Sequence, residues 1–182
     1  MSTRERLSGY PTTGKMRSFE WDFRQGVDRY ETWEEIEIGT GGVGARMFRV
    51  EEEDVLAFNL AALETDPAMV DLEHARAHGG LVAHPLFLVQ IAFWCIDVGI
   101  GSWIRSPGAR NPGQTIELYE PIRVGEEISV TVTHVDKWIR RDNHYMQDRI
   151  DFHNERGDHK GRWLCSLLLP ATRAELEKWA SA

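Results

Sequence analysis

The sequence predicts an α+β fold in which an antiparallel sheet wraps around a long central apolar helix. Three observations carry that prediction. Residues 81–99 are apolar on nearly every side, interrupted only by Gln90 and Asp97. A helix of this kind has to be buried all round, yet at about fifteen residues it is too short to cross a membrane. Downstream, residues 126–135 alternate, with Ile128, Val130 and Val132 on one face and Ser129, Thr131 and Thr133 on the other. Residues 144–154 and 162–169 repeat the pattern on either side of a Glu155-Arg156-Gly157-Asp158 turn. Strands joined by hairpins form an antiparallel sheet and leave the helices on one face.

The remaining elements follow in order. Residues 1–17 are polar, with Gly9, Pro11 and Gly14, and read as a flexible N-terminal arm; residues 18–182 read as a single domain. Phe19, Trp21, Phe23, Tyr30 and Trp33 are too dense for a loose tail and are expected to pack along the body. Thr40-Gly41-Gly42-Val43-Gly44 reads as a flexible run without the strand-before, helix-after setting of a phosphate loop. Residues 45–50 suit a strand. Glu51, Glu52, Glu53 and Asp54 open a helix where the positive end of its dipole favours acidic groups. Asp66 is placed to cap a second helix, with Pro67 at its first position and its end near Ala77, before Gly79-Gly80. Residues 100–114 form a loop, 115–119 a strand, and 171–180 a closing helix after Pro170.

At 182 residues the chain suits one domain, and 42% hydrophobic with 27% charged residues is ordinary globular composition. A net charge of −8 argues against a nucleic-acid partner. The N-terminus lacks the apolar core of a signal peptide, and Cys95 and Cys165 read as small buried apolar residues, so a cytoplasmic, non-membrane protein is expected. No Cys/His cluster has zinc spacing and no Gly-x-Ser-x-Gly elbow occurs.

Several short motifs, taken in order, resemble one family. They are Trp33-Glu34-Glu35-Ile36-Glu37-Ile38-Gly39, Thr65-Asp66-Pro67, Gly80-Leu81-Val82-Ala83-His84-Pro85, Pro121-Ile122-Arg123-Val124-Gly125-Glu126 and Asn154-Glu155-Arg156-Gly157. Together they resemble the MaoC-like hydratase/dehydratases of the hotdog fold, over roughly residues 30–170, with the flavour of the divergent half of double-hotdog and heteromeric members. The resemblance implies a side-by-side homodimer, or a heterodimer with another hotdog chain. It implies an acyl thioester of CoA or of an acyl carrier protein as substrate, no cofactor or metal, and addition or removal of water next to the thioester carbonyl. The family's active loop carries an Asp and, five residues later, a His. Aligned on Asp66-Pro67, this chain has Asn59 and Glu64 at those positions. Where the family often has a Gly after the residue matching His84, Pro85 stands here and has no N–H to offer the thioester oxygen.

Hydration of an enoyl thioester needs a base for water, a proton for the α-carbon and donors for the enolate oxygen. Glu64 is the candidate base, provided burial raises its pKa; otherwise it is a solvated residue at a helix end. Asn59 is either an orienting group for water or a buried amide bonded to backbone. His84 is a candidate source of a proton or an N–H, or a residue satisfying a loop carbonyl. Amides from Leu86 onward, at the positive end of the central helix, are candidate oxyanion donors. Gly80 and Leu86 are expected to line the substrate, and Arg105 and Arg110, with Arg123, to meet CoA phosphates. Three functions fit: a hydratase/dehydratase, a degenerate acyl-CoA-binding subunit of a heteromeric hydratase, or a hotdog thioesterase using Glu64 as base.

Overall fold

The computed structural model describes residues 13–19, 22, 24, 26–97 and 100–181. Its centre is a six-stranded antiparallel sheet. The strands are β1 (Gly41–Val43), β2 (Phe48–Arg49), β3 (Arg110–Leu118), β4 (Glu127–Arg140), β5 (Asn143–Asn154) and β6 (His159–Leu168). They lie in the order β1-β4-β5-β6-β3, with β2 also on β4. The helices are α1 (Gly14–Ser18), α2 (Glu52–Ala61), α3 (Pro67–Val70), α4 (Leu72–Ala77), α5 (Phe87–Cys95) and α6 (Arg173–Ala180). The fold is the α+β hotdog arrangement.

The alternation read in the sequence sets the inner face of the sheet. Ile128, Val130 and Val132 of β4, Met146, Ile150 and Phe152 of β5, and Trp163, Cys165 and Leu167 of β6 are all buried there. Against them α5 buries Phe87, Leu88, Ile91, Ala92 and Cys95, which share one helix face. Gly161 permits the approach. A Cβ there would stand 2.9 Å from Leu88 Cδ1 and 2.6 Å from the Glu117 carbonyl oxygen. Both thiols are free and buried, and burial pushes the Cys95 thiol up to about 12. The other face of α5 departs from the expected all-round burial: Phe93 is exposed and Val89, Gln90 and Trp94 are only partly covered.

Several boundaries also differ from expectation. The central helix has nine residues, not the fifteen or so expected of an unbroken apolar run. Its start is delayed because Pro85 and Leu86 form a turn, and Ile96 is already extended. Val98 and Gly99, and likewise Trp21 and Phe23, lie outside the described residues. The helix expected over residues 67–77 breaks at Asp71, whose extended backbone ends α3 and whose carboxylate caps α4 through the Glu73 and His74 amides. Asp66 caps α3 ahead of Pro67 as read. The run at Thr40-Gly44, expected to be flexible, contributes β1, while residues 45–50 yield only the two-residue β2. Of the arm expected over residues 1–17, positions 14–17 are helical in α1, and residues 1–12 lie outside the description. Among the described residues, no helix is long and apolar enough to cross a membrane.

Candidate active site

The end of α2 brings two candidate residues together. Leu63 adopts a left-handed backbone, φ 62°. Its amide bonds the Leu60 carbonyl at 3.1 Å, and the Glu64 amide bonds the Asn59 carbonyl at 3.0 Å. This pair of bonds is a Schellman motif, with Leu63 in the position that usually falls to glycine. Asn59 and Glu64 are the two ends of its longer bond. Their spacing, which matches the family's Asp and His, is therefore one closed helix terminus rather than two independent positions.

Asn59 is fully buried and faces the loop leading to α5. Its Nδ2 donates to the carbonyls of Met69 (2.8 Å) and Val82 (2.9 Å), and its Oδ1 accepts the His84 amide at 2.9 Å. Both amide protons are thus used by the main chain. Of the two readings of Asn59, these contacts are those of the buried amide bonded to backbone: it holds the backbone of His84. A carboxylate would still accept the His84 amide but has no proton for the Met69 and Val82 carbonyls.

His84 is fixed on its other side as well. Its Nδ1 accepts the Leu86 N–H at 3.0 Å, so the proton of the neutral ring sits on Nε2. Nε2 lies 3.3 Å from Glu64 Oε1, with side-chain exposures of 20% for His84 and 28% for Glu64. Phe58 packs beside the imidazole, ring centroids 5.9 Å apart. The result is a half-open carboxylate–imidazole pair with one defined tautomer.

The same contacts remove two expected oxyanion donors. The Leu86 amide is committed to His84 Nδ1, and the Phe87 amide to the His84 carbonyl at 2.9 Å. His84 Nε2–H faces Glu64. Gly80 follows α4, with φ 94°, and its amide closes onto the Ala75 carbonyl at 2.7 Å; its part is to terminate α4 and send the chain toward His84.

The three arginines separate. Arg105 is buried: it donates to the Phe93 carbonyl at the end of α5, lies 3.4 Å from Asp97 and covers the Phe19 ring. Arg110 opens β3 beside a small cleft lined by Asp142, Asn143 and Glu175, away from His84. Arg123 is the one beside the site. It pairs with Val82 in an isolated antiparallel bridge, and a Cβ at Gly79 would stand 3.9 Å from its Nη1. The flanking motifs form the frame of this loop. The Ala83 amide bonds the Ile122 carbonyl at 3.1 Å, and Asn154 Nδ2 bonds Glu126 Oε1 at 3.2 Å.

One buried cluster escaped the sequence reading. His134 lies 2.6 Å from Asp148 through Nδ1 and 3.1 Å from Glu31 through Nε2, while Trp103 Nε1 donates to the other Asp148 oxygen at 2.5 Å. Burial opposes the charge on His134, but the hydrogen bonds to Asp148 and Glu31 outweigh it and raise the pKa to about 9. Burial raises the pKa of Asp148, and the bonds that both of its oxygens accept, from His134 and Trp103, oppose that rise. The available signal was parity: His134 and Asp148 sit at inward positions of neighbouring strands and are register partners. A second cluster, Glu51, Glu53 and Asp54, is close enough to hold a cation, and Lys15 Nζ already stands on it at 2.8 Å from Glu51 and 2.6 Å from Asp54.

Residues 38–161, more than half of the chain, match the family described as FAS1-like, dehydratase domain region. The chain belongs to this family of MaoC-like hotdog proteins. Among curated relatives, an (R)-specific enoyl-CoA hydratase of Rhodospirillum rubrum is 26% identical over 89 residues, which is 46% of this chain and 57% of that protein. The chain thus spans little more than half the length of that relative. Among solved structures, the MaoC-like dehydratase from Rhodospirillum rubrum superposes with a TM-score of 0.61 at 22% identity, covering 75% of this chain and 94% of the other. The C-terminally truncated HadBC (3R-hydroxyacyl-ACP dehydratase) complex from Mycobacterium tuberculosis gives a TM-score of 0.59 at 20% identity, over 72% and 96%. These structures show the hotdog fold.

Proposed function

We propose that this chain adds water to enoyl thioesters, and removes it from the matching 3-hydroxyacyl thioesters, with CoA or an acyl carrier protein as the thiol. The observation that carries this reading is the pair itself: His84 Nε2 at 3.3 Å from Glu64 Oε1, at the end of the loop that bears the family's active residues. Glu64 takes a proton from water as its oxygen bonds to the β-carbon, and the carboxyl then returns a proton to the α-carbon. Partial exposure lets water reach it. His84, with Nδ1 engaged, acts through its Nε2–H, which orients the carboxylate or turns to the enolate oxygen. Adding water across the double bond forms one C–O and one C–H bond with no net oxidation or reduction, so the proposed steps call for no redox cofactor. We assign to Arg123, which pairs with Val82 beside this loop, the phosphate of the thioester's carrier.

Loss of the general base is expected to slow hydration by about 10²–10⁴-fold. Glu64→Ala and His84→Ala are each measured as kcat/KM on a short enoyl-CoA, and wild-type turnover in both would remove these roles.

A second reading has its own support. Pro85 has no N–H, and the next two amides are spent on His84, which leaves few donors for an enolate. The chain would then be an acyl-thioester-binding subunit that pairs with a second hotdog chain. The M. tuberculosis neighbour is itself described as a complex. Purified alone and offered enoyl-CoA, the chain discriminates: robust hydration rules out the subunit reading, and release of free thiol instead of hydration would point to a thioesterase.

A further inference from the structure

Between β3 and β4, residues 121–126 fold back on themselves. Gly125 takes φ 98°, and Glu126 then returns to Arg123 through both its main chain and its side chain. The Glu126 amide donates to the Arg123 carbonyl at 3.3 Å, and the Arg123 amide donates to Glu126 Oε2 at 2.8 Å. The turn is thus closed reciprocally, in the manner of a helix capping box. The other oxygen, Oε1, accepts Asn154 Nδ2 and stands 2.9 Å from Lys160 Nζ. Glu126 and Lys160 are both buried. Burial opposes the charge on Glu126, but the Arg123 amide, Lys160 and Asn154 outweigh it and hold the carboxyl below its usual range.

This turn holds the loop of His84. Arg123 pairs with Val82, and the Ala83 amide donates to the Ile122 carbonyl. From the other side, Asn59 takes the Val82 carbonyl and the His84 amide. Residues 82–84 are therefore gripped between the end of α2 and the turn, and His84 Nε2 stands 3.3 Å from Glu64 beside that grip. The turn in its own right answers to the sheet. Lys160 lies on β6, where its carbonyl takes the Tyr119 and Glu120 amides at 3.0 and 3.2 Å, and Asn154 ends β5. A buried ion pair contributes little net stability over an apolar pair of the same shape. What this one supplies is direction: it aims one carboxylate oxygen at one amide.

We propose that Glu126, held by Lys160, is a positioning residue for His84: it fixes the Arg123 amide, the turn fixes residues 82–83, and these set where His84 Nε2 meets Glu64. This rests on the hydratase reading of the His84–Glu64 pair. Glu126 touches no reacting atom in that reading and acts through the backbone alone. Misplacing a reacting group by about 1 Å can slow a reaction by about 10²-fold. Loss of the Glu126 acceptor therefore acts on kcat, and KM changes little.

The test compares two double variants of the full chain. Glu126→Gln with Lys160→Met removes both charges and keeps an oxygen for the Arg123 amide; Glu126→Leu with Lys160→Met removes the oxygen as well. Exchanging both ions together is close to neutral for stability, and circular dichroism checks folding. The imidazole nitrogen NMR shifts of His84 are read on each, with kcat and KM for a short enoyl-CoA. The Gln pair is expected to keep ring shifts and kcat near wild type. The Leu pair is expected to move the His84 ring signals and to lower kcat by about 10²-fold with KM little changed. Should the Leu pair fail to fold, Glu126→Asp draws the carboxylate back by one methylene and is expected to move the same signals. Signals that stay at their wild-type positions, or that move equally in the Gln and Leu pairs, overturn the positioning role whatever the turnover. Signals that move as expected, in a protein whose wild type hydrates no enoyl-CoA, remove the hydratase reading and leave the positioning role standing.

Discussion

At Asn59 the difference between an amide and a carboxylate is two protons, and the loop depends on both. Asn59→Asp would bring the residue type of the family's active loop to this position. It would also set a carboxylate against the carbonyls of Met69 and Val82, which now accept from Nδ2. The expected outcome is a loss of about 1–3 kcal/mol in urea-unfolding free energy, the usual cost of stranding buried polar groups, with lower turnover. Unchanged stability would mean the loop finds other partners. Position 59 could be named from sequence because it aligns ahead of Asp66-Pro67. Its role could not, because Val82 and His84 are more than twenty residues away along the chain and meet it only through the fold. The pairing of Glu64 with His84 was hidden for the same reason.

Among the elements, the long strands were legible and the helix limits were not. Period-two alternation over β4, β5 and β6 needs only local residue order, and the sheet follows from it. Apolarity says that a segment is buried, not how many of its residues are helical. The α5 boundary is decided by the His84 carbonyl and Nδ1, which capture the Phe87 and Leu86 amides in a turn before the helix starts. Its exposed side, at Phe93, was equally invisible, since it depends on which elements fail to cover it. The packing of α5 on β6 gives a direct test. Gly161→Ala places a methyl group between Leu88 and the Glu117 carbonyl, and overpacking of this kind is expected to cost about 1–3 kcal/mol. A thermal melt matching wild type would show that α5 can shift without penalty.

For the whole molecule, the His134 cluster joins segments far apart in sequence: Glu31 from the N-terminal part, Trp103 from the turn after α5, and the β4–β5 pair. Its folded pKa of about 9 lies above the ordinary 6.5, so the folded state holds the proton more tightly. The stabilisation is therefore complete below about pH 6.5 and drains away as pH rises through about 9, by up to roughly 3 kcal/mol at one proton. Urea midpoints at pH 6 and pH 9.5 should fall accordingly in the wild type. His134→Gln should be less stable at pH 6 and nearly flat between the two; a wild-type slope retained by that variant would assign the pH effect elsewhere.

The helix terminus at Leu63 has a consequence for how this region can drift. Asn59 and Glu64 stand at the two ends of a single hydrogen bond that spans six residues, so exchanging either side chain leaves their separation intact. Adding or removing one residue between them would turn Glu64 by about 100° around the α2 axis and away from His84. A change of side chain here alters chemistry and local bonding but keeps the spacing, whereas a change of loop length loses the spacing itself, so a single-residue insertion separates Glu64 from His84 whatever the residue.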